Sequence, residues 1–400
     1  VESPEKPQIF KFLWRNPSLR AQSWRMASST EAEIQNDSLT SRLRGQIERE
    51  GPMSFCDWMA AALYDKRDGY YCRANRVRQG RAGDYRTAPE SSPLFAATFA
   101  RYFCSLYFQL GEPGSWSLCE AGAGSGEFAY GVLAALQTNY PRVFGATNYL
   151  IDEVSPDARS CAADRLAEFS AQIRFERLSE IHQPVGAGII FSNELIDALP
   201  VHRVTFRAGK LRELRVGISS TCFVWVECDP DERLEDYCRR AKIQLKEGQI
   251  TEVNFAAEDF VAQAASNLER GFIITVDYGA ERAELLNAPH RFQGTLRGFH
   301  RHRLVDDVLA KPGEQDLTTT VDWTQILEAG AAAGLQALRF ERLDQFLLGA
   351  GLLEELGTRT GQLTDAQALR LRTSAREMIM PHGLAASFQV LVQQKPAAAI

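Results

Sequence analysis

The chain has no run of about 18 apolar residues, so no transmembrane helix is expected. It has no CxxC pair and no histidine spacing suited to zinc. Its eight cysteines are scattered singly at positions 56, 72, 104, 119, 161, 222, 228 and 238. A reduced, intracellular protein is the default reading of that pattern. No internal repeat or low-complexity block is present, which removes solenoids and propellers. Net charge is small: 45 basic against 51 acidic residues gives −6 over 400 residues, with no blanket attraction for nucleic acid. Acids are absent from Lys6 to Arg25, where five basic residues alternate with aromatic and polar ones. This stretch reads either as an organelle transit peptide or as an extension upstream of a natural start at Met26. Residues 1–37 are accordingly set aside as a flexible or processed segment.

What is present is an ordinary globular composition, 45% hydrophobic and 24% charged, in a chain longer than most single domains. Residues 38–110 read mainly as helix. Ser54 with Asp57 suggests a capping box, and Pro93 opens an apolar-periodic stretch to Leu110. Strand and helix then alternate: Ser117–Glu120, Phe128–Tyr140, Asn148–Val154, Pro156–Phe169, Ile173–Leu178 and Gly188–Ser192. This rhythm predicts a parallel sheet with right-handed crossovers. Val201–Arg207, Leu211–Val216 and Phe223–Glu227 break it as antiparallel strands, with a hairpin at Ala208-Gly209-Lys210. The sheet resumes at Gly271–Asp277. A polar loop follows over 279–320, long enough to suggest a lid or substrate loop. Helix from Trp323 to Ala333, strand at Leu335–Glu341, further helix and a last strand at Phe388–Val392 complete the pattern. The expectation is an α/β, Rossmann-like, doubly wound sheet of seven strands. Its core comprises 111–200 and 271–395, with a helical segment at 38–110 and an inserted β/helical subdomain at 201–270.

In such a sheet, ligands bind beyond the carboxyl ends of the strands. The first strand runs into Glu120-Ala-Gly122-Ala-Gly124-Ser-Gly126-Glu127. A dinucleotide fingerprint would place glycine or alanine where Glu127 puts bulk and negative charge, and no Gly-Lys-Ser/Thr of a phosphate loop follows. An acid opening a GxGxG loop suits a ligand with an ammonium and a sulfonium and no phosphate, namely S-adenosylmethionine. Gly122, Gly124 and Gly126 would cradle it, Glu120 would receive its amino group, and Glu153 would accept its ribose hydroxyls. Read by themselves, the glycines also fit a plain strand-to-helix turn and Glu153 a solvated strand-end charge. Asn193, Glu194 and Asp197 follow the fourth strand at the same edge. Two acids and an amide there could hold and orient a guanidinium, or the two acids could simply cap the next short helix.

The stretches Gly83-Asp-Tyr-Arg-Thr-Ala-Pro-Glu-Ser-Ser-Pro-Leu-Phe95, Glu153-Val-Ser-Pro156, Ser192-Asn-Glu-Leu-Ile-Asp-Ala-Leu-Pro200, Asp277-Tyr-Gly279 and the run from Gly294 to Asp322 resemble the MidA-like family. This bacterial and mitochondrial group includes the mitochondrial complex I assembly-factor arginine methyltransferase. The resemblance covers about residues 38–395. It implies a class I methyltransferase fold, S-adenosylmethionine as cofactor and a protein substrate. For mitochondrial members it implies symmetric dimethylation of an arginine on a complex I subunit. The compartment would be the bacterial cytoplasm, or the mitochondrial matrix if the basic N-terminus is a transit peptide. Whether the protein is a monomer or a homodimer is left open. Two departures stand out: Ala123 replaces a common proline in the glycine loop, and Thr318-Thr-Thr-Val-Asp322 replaces Thr-x-His-Val-Asp. His300 and His302 lie in the matching loop, as solvated or functional residues. Asp84–Phe95 and Gly294–Asp322 are expected to close over the cofactor. The competing functions are an arginine methyltransferase, a methyltransferase of another nucleophile, and an assembly chaperone that binds the cofactor for stability.

Overall fold

The computed structural model describes residues 38–73, 92–300, 303–361, 363–380 and 383–397. The segment 83–91 and His302, both singled out above, lie outside the described residues, as does the stretch Lys6–Arg25. The strands are β1 (Met53–Ser54), β2 (Trp116–Ala121), β3 (Thr147–Asp152), β4 (Ile173–Phe175), β5 (Gly188–Asn193), β6 (His202–Arg207), β7 (Lys210–Ser219) and β8 (Cys222–Cys228). They continue as β9 (Ile250–Val253), β10 (Gly271–Ala280), β11 (Arg297–His300), β12 (Arg303–Leu304), β13 (Asp316–Thr318), β14 (Val321–Asp322), β15 (Gln336–Arg342) and β16 (Phe388–Lys395).

The principal sheet runs β15-β16-β10-β5-β2-β3-β4, with β14 beside β10. Strands β2, β3, β4, β5 and β10 are mutually parallel, and β16 is antiparallel to both β10 and β15. The order reverses between β2 and β5, which puts the switch point at the glycine loop. Alternate residues feed opposite faces, as the two-residue period of a strand requires. Leu118, Ile189, Phe191 and Ile274 point into a core with the helices Pro93–Gln109 and Glu127–Asn139. Cys119, Ile190 and Ile273 point the other way, onto Val261 and Ala264 of the helix Phe255–Ser266 and onto Ile326. Phe128 stacks on Phe191 with ring centroids 4.4 Å apart, which ties the helix after the glycine loop to β5.

A second sheet, β1-β7-β6-β9 with β8 on β7, is built largely from the stretch after Pro200. Its strand β1 comes from the segment read as helical, and Ser54 of that strand accepts the Asp57 amide at 3.0 Å to start the helix Phe55–Tyr64. Several boundaries differ from the sequence reading. The helix Glu127–Asn139 ends just before Pro141, as expected, but Pro141 opens a second short helix, Pro141–Ala146, since proline is at home in a first turn. The α-helix from Pro156 ends at Arg165 and continues only as a 3₁₀ turn, Ala167–Phe169, and β4 is three residues long. The expected loop 279–320 carries the helix Arg282–Asn287 and a small antiparallel sheet, β12-β11-β13. Strands of two to four residues are too short to show a periodicity.

Candidate functional site

The glycine loop leaves β2 with three left-handed glycines, Gly122 (φ 72°), Gly124 (φ 55°) and Gly126 (φ 75°). A Cβ on Gly126 would lie 3.0 Å from the Ala162 Cβ and 3.1 Å from its Cα. Conformation and space therefore both demand glycine there. Gly126→Ala is expected to cost about 1–3 kcal/mol of stability, combining left-handed strain with overpacking. Chemical denaturation checks it, and an unchanged midpoint would show that the loop can rearrange.

Glu120, the last acid of β2, is 5% exposed and accepts the Tyr149 hydroxyl at 2.8 Å. Burial, aided by the nearby Glu153, pushes its carboxyl up to about 8, against the pull of Tyr149. Glu153 is also buried. Its Oε2 accepts the Gly124 amide at 2.7 Å and its Oε1 the Ser155 amide at 2.7 Å. This carboxylate thus fixes the loop and keeps a second lone pair on each oxygen for hydroxyl donors. Burial raises its pKa, and the amides of Ser155 and Gly124 work against that rise. The adjacent Asp152 pairs with Arg177 at 2.5 Å.

A second turn abuts this loop. A Cβ on Gly122 would meet Leu195 Cδ1 at 3.0 Å, so Asn193–Asp197 lies directly beside the glycines. Glu194, partly exposed, adopts φ 51°, held there by its amide donating to the Val276 carbonyl at 3.0 Å. A non-glycine residue in that region is strained, and such strain concentrates at functional sites. Asn193 Nδ2 donates to Glu194 Oε1 at 3.4 Å. Asp197, buried in the 3₁₀ turn Ile196–Ala198, accepts the Tyr278 hydroxyl at 2.5 Å. Burial lifts its carboxyl to about 6, opposed by that hydroxyl, the Ala198 amide and Arg297. The amides of Ile196 and Asp197 are capped by Asp277 of β10, at 3.0 and 3.3 Å. Capping is thus the work of a residue on the neighbouring strand. Among the described residues, Asn193 Oδ1 and Asp197 Oδ1 are buried without a hydrogen-bond partner.

Tyr64 and Tyr71 also reach this edge, without any signal in the sequence. The helix Phe55–Tyr64 ends with Tyr64, whose hydroxyl donates to the Ala198 carbonyl at 3.1 Å and is stacked on Tyr71. Tyr71 donates to Asp316 Oδ1 at 2.7 Å. Burial, with the charges of Asp197, Asp316 and Glu153, raises the Tyr64 pKa. Thr319 donates its amide to the Asp197 carbonyl at 2.8 Å, and Arg297 lies over the Tyr278 ring at 5.3 Å. Thr320 accepts from Arg297 at 3.4 Å. His300 bonds the Glu314 carbonyl at 2.9 Å within the small sheet. Among the described residues, no group of three His, Cys, Asp or Glu side chains is arranged to hold a metal ion.

Residues 98–341 match the family model described as "Putative S-adenosyl-L-methionine-dependent methyltransferase". The protein arginine methyltransferase NDUFAF7 homolog, mitochondrial, of Drosophila melanogaster is 27% identical over 338 residues, covering 77% of this chain and 73% of its own length. The human protein arginine methyltransferase NDUFAF7, mitochondrial, is 22% identical over 354 residues, 82% of this chain and 76% of its own length. A Burkholderia thailandensis protein solved with S-adenosyl-homocysteine bound superposes with a TM-score of 0.80 at 30% identity, covering 92% of this chain and 95% of that one. No helix among the described residues is long and apolar enough to cross a membrane. Sheet order, glycine loop, family model and superposition agree: the chain belongs to the MidA-like family of S-adenosylmethionine-dependent methyltransferases.

Proposed function

We propose that the protein methylates an arginine side chain of a protein substrate. The observation that carries this reading is the turn beside the glycine loop, where Glu194, partly exposed and held at φ 51°, stands with Asn193 and Asp197. Two carboxylates and an amide oxygen accept what a guanidinium, all donor and no acceptor, offers. The names of the mitochondrial relatives support the same substrate class. In this assignment Glu120, Glu153 and the backbone of Gly122, Gly124 and Gly126 hold S-adenosylmethionine, with Asn193 at the boundary between cofactor and substrate. The cofactor supplies a methyl group on a sulfonium, open to in-line attack.

Glu194 and Asp197 then hold the guanidinium. Two carboxylates localise its charge on the nitrogens that do not react, and one accepts the proton lost on transfer. Asp197, near 6, is ionised at neutral pH and close enough to neutrality to take up a proton. Tyr278, its hydroxyl pKa raised by burial, stays protonated and orients Asp197. We assign 111–200 and 271–395 to the methyltransferase core and 201–270 to the insertion, with the helix Phe255–Ser266 counted to the core on which it packs. A complex I subunit is the substrate proposed for a mitochondrial member.

The test is incubation with isotopically labelled cofactor and arginine-containing proteins, followed by amino-acid analysis. Label in symmetric dimethylarginine is expected. Label only in a small molecule would move the assignment to another nucleophile, and cofactor binding with no methyl acceptor would favour the chaperone. A reporter fused to residues 1–37 distinguishes the matrix from the bacterial cytoplasm.

Glu120 also gives this reading a pH signature. Below about 8 the free protein holds a proton on Glu120. An ammonium binds the ionised form, so binding at pH 7 must release a proton. Affinity is expected to rise with pH toward 8, and calorimetry in buffers of different ionisation enthalpy should show the release. In Glu120→Gln the release should vanish and binding weaken by about 1–3 kcal/mol. Proton release that persists in this variant would remove Glu120 from the ammonium site.

A further inference from the structure

The small sheet β12-β11-β13 brings a half-buried cation to the turn that carries Asp197. Arg297 on β11 pairs with Thr318 on β13, and the next residue, Thr319, donates its amide to the Asp197 carbonyl at 2.8 Å. The backbone therefore fixes Arg297 relative to Asp197. Its guanidinium carbon lies 5.3 Å from the centre of the Tyr278 ring, and the Tyr278 hydroxyl donates to Asp197 Oδ2 at 2.5 Å. Among the described residues Arg297 makes no ion pair; its hydrogen bond is the long one to Thr320 Oγ1, at 3.4 Å, and its buried Nε has no partner. Acids gather round the same turn. Glu194 precedes Asp197 in it, and Asp277 of β10 accepts the Asp197 amide at 3.3 Å. Asp316 of β13 accepts the Tyr71 hydroxyl, and Tyr64, a neutral phenol, donates to the Ala198 carbonyl.

We propose that Arg297 is a positioning residue for methyl transfer: acting through the Tyr278 ring, its charge keeps the Asp197 carboxylate ionised among acids that oppose its ionisation. This role rests on the reading of Asp197 as the group that takes the proton. Two effects combine. A guanidinium over an aromatic face is attracted by the π electrons and draws them away from the hydroxyl, which makes Tyr278 a stronger donor to Asp197. The positive charge also favours the carboxylate directly, against the like charges of Glu194 and Asp277. Burial pushes Asp197 up to about 6, and the Tyr278 hydroxyl, the Ala198 amide and the charge of Arg297 keep it from going higher. Asp277 is the contrast. Burial and the charges of Asp197 and Glu194 outweigh its amides and hold it well above the usual carboxylate range.

The test is a titration of Asp197 itself, by carbon NMR of full-length protein carrying carboxyl-labelled aspartate, with Asp197→Asn identifying the signal by its loss. In Arg297→Gln the Asp197 midpoint is expected to rise by about one pH unit. Arg297→Lys, which restores the charge, should bring it at least about halfway back. Turnover should follow: Arg297→Gln is expected to be about fivefold slower than wild type near pH 6 and within about twofold of it near pH 8.5, a recovery that a merely misplaced turn would not show. An unmoved Asp197 midpoint in folded Arg297→Gln overturns the proposal, as does a rate lost equally at both pH values. A wild-type Asp197 still protonated at about pH 7.5 overturns it without any variant. Because the titration uses no methyl acceptor, its failure is distinct from a failure to find methylated arginine.

Discussion

Glu194→Gln is expected to bind S-adenosylmethionine within about twofold of wild type and to transfer methyl groups to arginine at least about 10²-fold more slowly. The amide keeps the size of the side chain and can still accept from Asn193, so the turn should hold its shape. What is lost is one of the two charges that together localise a guanidinium's charge on the nitrogens that do not react. The position argues for function because Glu194 is kept at φ 51° although glycine would sit there without strain. Calorimetry and single-turnover kinetics separate the two effects. Normal turnover in the variant would make the residue structural, and lost cofactor binding would move it to the cofactor side.

The largest structural effect is expected at Asp277. Its carboxyl is fully buried and takes three amides, those of Ile196, Asp197 and its own neighbour Tyr278 at 2.9 Å. Burial and the charges of Asp197 and Glu194 hold its pKa well above the usual carboxylate range. Asp277→Ala would orphan those three amides at about 1–3 kcal/mol each, so a loss of at least about 3 kcal/mol is expected in urea unfolding. Asp277→Asn keeps one carbonyl acceptor and should lose less. Equal losses for the two variants would show that the packing of the side chain, and not its hydrogen bonds, sets the turn.

The principal sheet was legible because its central strands β2, β5 and β10 are buried on both faces and read as apolar runs, and because a glycine loop after the first of them has few other uses. Glu120, Glu153, Asn193, Glu194 and Asp197 could be nominated for the same reason: each ends a strand at one edge. Asp277 and Tyr278 stood in a quoted motif without a role, because their meaning depends on contacts to a turn far away in sequence. Tyr64 and Tyr71 were hidden for a similar reason, since a helix preceding the sheet gives no sign of which edge it will reach. The small sheet within 279–320 was missed because its short, half-exposed strands resemble polar loop.

Strand β16 fills a slot between β10 and β15, hydrogen-bonded on both sides. A growing chain on the ribosome makes β10 and β15 well before residues 388–395 emerge. Until then, two strands wait with bare edges that face each other across a gap one strand wide. Such edges accept any extended segment of suitable register, including β16 of another copy. The late arrival of this strand therefore makes the interval before residue 388 the period in which misassembly competes with folding, and the one in which a holding chaperone would have most to protect.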